Sequence, residues 1–265
     1  MDDTTRGQID ELLATGFGAD RDRPLLVCDV DEVVLHLVAP FEAVLGERGW
    51  RLKTRSFKLT GNVFRVESGA EASQADIWAA LEQLFAEQQA RQHLVDGVRE
   101  SLTRLADDLE IVFLTNMPHG HAETRAAHLR ASGMPYPLVT NSGSKAPAVA
   151  ALTQGRRGNV GFVDDTPVNL AQVGAAHPHV HLFHLMADDT FRAMVEPMEG
   201  VLVSTGDWGE AERHMRQALL PRPDGERDED VERAERSREA GRDAEQHRAP
   251  LGEGASVATS PRPRT

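Results

Sequence analysis

Short apolar runs that end in polar residues are the feature that most constrains the fold of this chain. Four such runs occupy residues 24–30, 109–115, 137–141 and 159–164, and the last three are each followed by a stretch with helical periodicity. Short apolar runs of this kind are typical of strands buried inside a parallel sheet. Strands that alternate with helices form a parallel sheet with helices on both faces. The sequence therefore predicts an α/β, Rossmann-like fold.

Several further segments have apolar residues at every third or fourth position and are predicted to be helices. These segments are residues 39–49, 74–93, 97–107, 120–132, 144–153, 167–176 and 208–219. Residues 180–185 are predicted to form the final strand of the sheet, and the helix at 208–219 is predicted to follow it. The body of the protein is therefore expected to end near residue 220.

The interval between the first strand and the helix at residue 97 is too long for an ordinary connection. Residues 35–95 are predicted to form a small, mainly helical inserted cap, with a hairpin at residues 55–66 that turns at Gly61 and Asn62. The core would then comprise residues 1–34 and 96–220. Residues 221–265 are highly charged and nearly free of large apolar side chains, which predicts a disordered tail.

The charge and the start of the chain limit the possible partners and compartments. The formal net charge is -13, which argues against a nucleic-acid polymer or a membrane surface as a partner. The first residues lack the layout of a signal peptide, and the single cysteine, Cys28, excludes an internal disulfide. These features favour a cytoplasmic location. The sequence predicts no particular oligomeric state.

Polar residues at the strand ends are predicted to form the functional site, because the carboxyl ends of parallel strands meet at one edge of the sheet. The residues that gather there are Asp29, Asp31, Thr115, Asn116, Lys145, Asp164 and Asp165. Several carboxylates, a hydroxyl group and a lysine suit Mg²⁺ and phosphate better than zinc or copper. The chain has neither a Walker-type loop nor a dinucleotide-binding glycine loop, which disfavours a nucleotide phosphate donor held by such loops.

The order and spacing of these residues resemble the haloacid dehalogenase superfamily, and in particular its phosphatase branch. The four motifs that carry the resemblance are Asp29-Val30-Asp31-Glu32-Val33-Val34, Phe113-Leu114-Thr115-Asn116, Ser144-Lys145 and Phe162-Val163-Asp164-Asp165-Thr166-Pro167-Val168-Asn169. The resemblance covers about residues 22–190. Within the superfamily, the acid at Asp31 favours phosphatases and phosphomutases over dehalogenases proper and ion-pumping ATPases.

The resemblance implies that Asp29 attacks phosphorus and becomes an aspartyl-phosphate. Asp31 would protonate the leaving alkoxide and then take a proton from the attacking water. Thr115, the backbone N–H of Asn116 and Lys145 would bind the phosphoryl oxygens and offset their charge. The implied reaction is the hydrolysis of a phosphate monoester.

Mg²⁺ is the cofactor that the resemblance implies. Its expected ligands are a carboxylate oxygen of Asp29, the backbone carbonyl of Asp31 and the carboxylate of Asp165. Asp164 is expected either to lie behind the direct ligands or to contact the metal through a water molecule. Asn169 stands where other members often carry an acid, so any contact of Asn169 with the metal is also expected to pass through water.

The substrate is expected to be a small soluble phosphate. The stretch Asp164-Asp165-Thr166-Pro167 looks like that of 5′-nucleotidases, which favours a nucleoside monophosphate. Two alternatives stay open: a phosphomutase or phosphotransferase, which differs only in the acceptor, and a binding protein that kept the fold without turnover. The candidate contacts with the leaving group are Phe57, Lys58, Arg65, His119 and His121.

Overall fold

A six-stranded sheet lies at the centre of the computed structural model, which describes residues 1–220. The strands in chain order are β1 (Leu25–Cys28), β2 (Trp50–Leu52), β3 (Val63–Arg65), β4 (Glu110–Asn116), β5 (Leu138–Asn141), β6 (Val160–Asp164), β7 (Val180–Leu185) and β8 (Val201–Thr205). The central sheet has the order β5-β4-β1-β6-β7-β8, and every neighbouring pair in it is parallel. The predicted α/β fold class is confirmed.

Helices connect the strands and cover the sheet. They are α1 (Asp3–Ala14), α2 (Val38–Glu47), α3 (Gln74–Ala86), α4 (Gln88–Arg91), α5 (Val98–Ala106), α6 (Ala122–Ala131), α7 (Ala146–Thr153), α8 (Pro167–Ala176), α9 (Asp189–Arg192) and α10 (Trp208–Leu219), with a 3₁₀ turn at His119–His121. None of the helices in the described part of the chain combines the length and apolar character needed to cross a bilayer.

Successive side chains of β1 enter two different hydrophobic cores, because neighbouring residues of a strand point to opposite faces of the sheet. Leu26 and Cys28 belong to the core that also contains residues of α5 and α10. Leu25 and Val27 belong to the core that contains residues of α1, α7 and α8. All four side chains are fully buried, which explains why the strand reads as a continuous apolar run.

The sheet contains one strand that the sequence analysis missed, so the prediction that residues 180–185 form the final strand is wrong. Strand β8 pairs with β7 at the edge of the sheet. Its burial alternates, and Leu202 is 45% exposed. An edge strand with one open face lacks the continuous apolar run by which the other strands were predicted. Helix α1 was also not predicted; the Asp2 side chain caps it and Ile9 buries its inner face.

Residues 37–92, called the insertion below, lie between β1 and α5. The chain enters and leaves the insertion side by side, because the N–H of His36 donates to the carbonyl of His93 and the N–H of Val95 donates to that of Val34. The insertion has its own hydrophobic cluster, built mainly from α2, α3, β2 and β3. The domain boundaries at residues 34 and 96 stay predictions, since residues 1–220 form one compact unit.

Two details of the insertion differ from the prediction. The hairpin pairs β2 with β3 across the loop at residues 53–62, so Gly61 and Asn62 end a long loop and do not form a two-residue turn. The Asn62 side chain accepts a hydrogen bond from the N–H of Arg55 and donates to two carbonyls of the same loop, which replaces the missing tight turn. The helix predicted at 74–93 is broken at Glu87 into α3 and α4. The tail predicted for residues 221–265 lies outside the described residues.

Candidate active site

A cavity of about 610 Å³ lies at the carboxyl ends of the central strands. The predicted site residues that line it are Asp29, Asp31, Thr115, Asn116, Lys145 and Asp165. The remaining one, Asp164, is fully buried beside the cavity, and its Oδ2 lies 2.7 Å from Lys145 Nζ. The structure therefore brings all seven predicted side chains together.

Asp29 stands at the end of the central strand. Its N–H donates to the carbonyl of Val163 at 2.9 Å, which continues the ladder between β1 and β6 by one residue. The chain then turns sharply, because the N–H groups of Val34 and Leu35 both donate to the carbonyl of Val30. This turn leaves both Asp29 and Asp31 on the wall of the cavity, as the two-residue spacing predicted.

Lys145 is the buried positive charge of the site. Its Nζ lies 2.7 Å from Asp29 Oδ1 and 2.7 Å from Asp164 Oδ2, and the side chain is 1% exposed. Burial alone would lower the pKa of Lys145, but the carboxylates of Asp164 and Asp29 outweigh it and hold the pKa above its ordinary value. Lys145 is therefore a fixed cation that ties the ends of β1 and β6 together.

The carboxylates around Lys145 are held in an environment that disfavours their charge. Burial raises the pKa of Asp29 to about 7, where the attraction of Lys145 opposes the rise and the nearby Asp164 and Asp31 add to it. Burial, followed by repulsion from Asp164 and Asp29, also raises the pKa of Asp165 well above its ordinary value. A further positive charge among these groups would favour the charged carboxylates and so oppose the rise of both pKa values.

The donor set fits a divalent, oxygen-preferring cation. Asp29, Asp164 and Asp165 each offer an oxygen within 4.8 Å of the others, and Lys145 balances only one of their three charges. Both oxygens of Asp164 are already engaged, Oδ2 by Lys145 and Oδ1 by the N–H of Thr166 and the amide of Asn169. Among the contacts of residues 1–220, the carboxylates of this set that keep one oxygen without a hydrogen-bond donor are therefore those of Asp29 and Asp165.

Thr115 presents a buried hydroxyl group to the cavity. Its side chain is fully buried at the end of β4, and its Oγ1 has no hydrogen-bond partner within residues 1–220. A buried polar atom without a partner is costly unless a ligand completes it. The Oδ1 of Asn141, at the end of β5, also has no hydrogen-bond partner within residues 1–220. The amide nitrogen of Asn141 donates to Asn116 Oδ1 at 2.7 Å.

Asp31 is held by a residue that the sequence analysis did not find. The guanidinium of Arg125, on α6, lies 3.0 Å from Asp31 Oδ1, and the Arg125 side chain is completely buried. Gln92 donates to the same oxygen at 2.9 Å. Nothing in the sequence marks Arg125 as a site residue, because it lies in the middle of α6 and only tertiary packing turns its side chain towards Asp31.

The same contacts join the insertion to the rest of the chain. Arg125 donates to the side-chain oxygens of Gln88, in α4, and of Gln92, directly after it. Gln92 also donates to the carbonyl of His36, at the start of the insertion, and its own carbonyl lies 3.0 Å from His128 Nε2. The position of the Asp31 carboxylate and the seating of the insertion therefore depend on one buried hydrogen-bond network.

Glu32 anchors the first helix of the insertion. Its backbone has a φ of 60°, and its carboxylate, 1% exposed, accepts from the N–H groups of Leu37 and Val38 at 2.6 Å and of Asp188 at 3.0 Å. Burial raises the pKa of Glu32, and the N–H groups of Val38 and Leu37 oppose the rise. The carboxylate satisfies N–H groups that the start of α2 would leave free.

The insertion supplies an apolar wall of the cavity, formed by Leu37, Leu59, Trp78, Leu81 and Phe85. The predicted contacts Phe57, Lys58 and Arg65 do not line the cavity. Phe57 packs against the ring of Phe191, and Arg65 lies over the ring of Trp50. Of the two candidate histidines, His119 lines the cavity, whereas His121 contacts Glu82 and packs beside Phe85.

No protein-family model matches the sequence, and the comparison with curated proteins found no match. Solved structures do match. A haloacid dehalogenase-like family hydrolase from Streptococcus pneumoniae is 11% identical with a TM-score of 0.50, over 74% of this chain and 99% of that chain. A haloacid dehalogenase-type hydrolase of family IA, variant 3, from Entamoeba histolytica is 13% identical with a TM-score of 0.50, over 71% of this chain and 94% of that chain.

The chain thus has the fold of the haloacid dehalogenase superfamily, as the order of its motifs predicted. At these identities the similarity concerns the fold, and the chemistry has to be argued from the residues of the cavity.

Proposed function

We propose that this protein is a Mg²⁺-dependent phosphatase that hydrolyses small soluble phosphate monoesters through an aspartyl-phosphate on Asp29. The observation that carries the proposal is the arrangement around Asp29, a buried carboxylate at the end of the central strand that Lys145 holds at 2.7 Å. Asp29 faces a cavity that is also lined by Thr115, whose hydroxyl has no hydrogen-bond partner among residues 1–220. A nucleophile, a fixed cation and a free donor are the parts that phosphoryl transfer needs.

In the first half-reaction, Asp29 forms a bond to phosphorus while the bond from phosphorus to the leaving oxygen breaks. The N–H of Val30 at 2.7 Å and Lys145 both hold Asp29 Oδ1, which fixes the orientation of the attacking carboxylate. Thr115, the backbone N–H of Asn116 and Lys145 bind the phosphoryl oxygens. A proton from Asp31 goes to the leaving oxygen, which departs as an alcohol.

In the second half-reaction, Asp31 removes a proton from a water molecule that attacks phosphorus. The bond between phosphorus and Asp29 then breaks, and inorganic phosphate leaves with Asp29 restored. Arg125 and Gln92 keep the same Asp31 oxygen in place through both steps. One carboxylate can therefore serve as acid and then as base.

Mg²⁺ would be bound by the carboxylates of Asp29 and Asp165 and by the backbone carbonyl of Asp31, and it would supply positive charge to the transferred phosphoryl group. Asp164 would not bind the metal directly, because both of its oxygens accept hydrogen bonds from Lys145, Thr166 and Asn169. It would instead hold these three groups in position. His184, buried on β7, donates to or accepts from Ser204 and lies 2.9 Å from the carbonyl of Asp165, which supports the position of that ligand.

The proposal is tested by phosphate release from a panel of monoesters that includes nucleoside monophosphates, the class that the Asp164-Asp165-Thr166-Pro167 stretch favours. We expect release with Mg²⁺, a loss of at least about a hundredfold on adding EDTA, and recovery when Mg²⁺ is restored in excess. The same assay with an added acceptor alcohol reports a phosphotransferase, because phosphate then appears on the acceptor. Folded protein that releases no phosphate from any monoester would favour the binding-protein alternative.

The replacement Thr115→Val separates binding from stability. Valine keeps the shape of threonine and removes a hydroxyl that has no partner in residues 1–220, so we expect the free energy of unfolding to change by less than about 1 kcal/mol. We expect kcat/KM to fall about a hundredfold, because the phosphoryl group loses a donor. The measurements are urea unfolding and steady-state kinetics.

Thr5→Val is the matched control for this prediction. Thr5 is also fully buried, but its hydroxyl donates to the carbonyl of Thr140 at 2.9 Å and lies outside the cavity wall. Thr5→Val should lose about 1 kcal/mol of stability and keep kcat/KM. A Thr115→Val enzyme with unchanged kinetics would rule out the assigned role of this hydroxyl.

A further inference from the structure

We propose that the apolar half of the cavity is a leaving-group site for an uncharged group with an aromatic or apolar face. This inference rests on the phosphatase function proposed above and specifies its substrates. Monophosphates of apolar-faced or aromatic alcohols would be preferred, and substrates with a second phosphate or a carboxylate would be rejected.

The first argument is the composition of the wall that the insertion supplies. Trp78, Leu81 and Phe85 of α3 all line the cavity, and their spacing of three and four residues places them in one stripe along the helix. Leu59 of the insertion and Met117, directly after β4, continue this surface. A leaving group that enters the cavity therefore exchanges water for apolar side chains.

The second argument is the exposure of Trp78. It is 53% exposed and is the one aromatic side chain among the exposed large hydrophobic residues of residues 1–220. The other two residues of the stripe, Leu81 and Phe85, are buried in the hydrophobic cluster of the insertion. An open indole on the wall of a cavity offers a flat surface on which a ring can stack.

The third argument is charge. Lys145 is the one lysine or arginine on the cavity wall within the described residues, and Asp29 and Asp164 already hold it. The ring nitrogens of His119 are engaged by Thr140 Oγ1 at 2.7 Å and by the carboxylate of Asp2 at 3.2 Å. A second anionic group on the substrate would therefore meet no unpaired lysine or arginine from residues 1–220 and would lie near carboxylates, which is unfavourable away from water.

The experiment uses phosphonates, whose carbon–phosphorus bond is not hydrolysed, so binding is measured apart from leaving-group reactivity. Full-length protein with Mg²⁺ is titrated calorimetrically with methylphosphonate, benzylphosphonate and phosphonoacetate. We expect benzylphosphonate to bind about tenfold more tightly than methylphosphonate. Phosphonoacetate, with its second anionic group, should bind more weakly than methylphosphonate.

Trp78→Ala should remove most of the advantage of benzylphosphonate and leave the affinity for methylphosphonate unchanged. Val66→Ala is the matched control, because Val66 is also 53% exposed in the insertion but does not line the cavity. Turnover gives a second readout: benzyl phosphate and ethyl phosphate release alcohols of similar acidity, and kcat/KM should favour benzyl phosphate by about tenfold.

The outcomes separate the two proposals. Equal affinities for the benzyl and methyl compounds, or an equal loss for both in Trp78→Ala, would overturn the leaving-group site while phosphate release upholds the phosphatase. Failure of every phosphonate to bind, together with no phosphate release, would overturn the phosphatase itself.

Discussion

Asp29→Asn is expected to reduce Mg²⁺-dependent phosphate release at least about a thousandfold, to the background of the assay. An amide is a poor nucleophile, so the bond between the enzyme and phosphorus does not form. The fold should survive, because asparagine keeps the shape of the side chain and can still accept from the N–H of Val30 and from Lys145. Phosphate release and thermal unfolding measure the two effects.

Trapping of the intermediate makes this prediction specific. Wild-type protein quenched in acid during turnover should carry one phosphoryl group on the peptide that contains Asp29, and Asp29→Asn protein should carry none. Asp10→Asn, an identical change at an exposed position of α1, should behave as wild type in both assays. Phosphorylation of another residue, or full activity in Asp29→Asn, would contradict the assigned nucleophile.

Arg125→Met is expected to have the largest effect on stability, with a loss of about 3–5 kcal/mol in the free energy of unfolding. Methionine fills much of the space of the arginine, but it leaves the Asp31 carboxylate without its positive partner and the side-chain oxygens of Gln88 and Gln92 without the donor that Arg125 supplies. We expect kcat to fall as well, because Asp31 is no longer held in position. Urea unfolding and steady-state kinetics give the two values.

A double-mutant cycle distinguishes the ion pair from a general packing effect. Asp31→Asn removes the charge that Arg125→Met leaves unpaired, so the double variant should be more stable than the sum of the single changes predicts, by about 1–3 kcal/mol. Arg130→Met, on the exposed face of the same helix, should change stability by less than about 0.5 kcal/mol. Additive effects of Asp31→Asn and Arg125→Met would show that the contact between Asp31 and Arg125 contributes no interaction free energy to stability.

The buried strands and most of the site could be predicted because their signals are local. Strand β1 is buried on both faces and is therefore apolar at every position, and its helix partners show ordinary periodicity. Strand β8 lies at the sheet edge with alternating exposure, which leaves a weak pattern in the sequence. Asn141 ends a predicted strand beside β4, so its place in the cavity could have been predicted from the same rule that placed Thr115.

By itself the sequence determined the α/β class, the order of the buried strands along the chain and the cluster of Asp29, Asp31, Thr115, Lys145 and Asp165. These follow from residue spacing and from the way parallel strands end at one edge. Only the tertiary structure decided which residues of the insertion face the cavity and that Arg125 holds Asp31 across 94 positions of the chain. Such contacts depend on how helices are oriented when their apolar faces pack, and a local pattern does not specify that orientation.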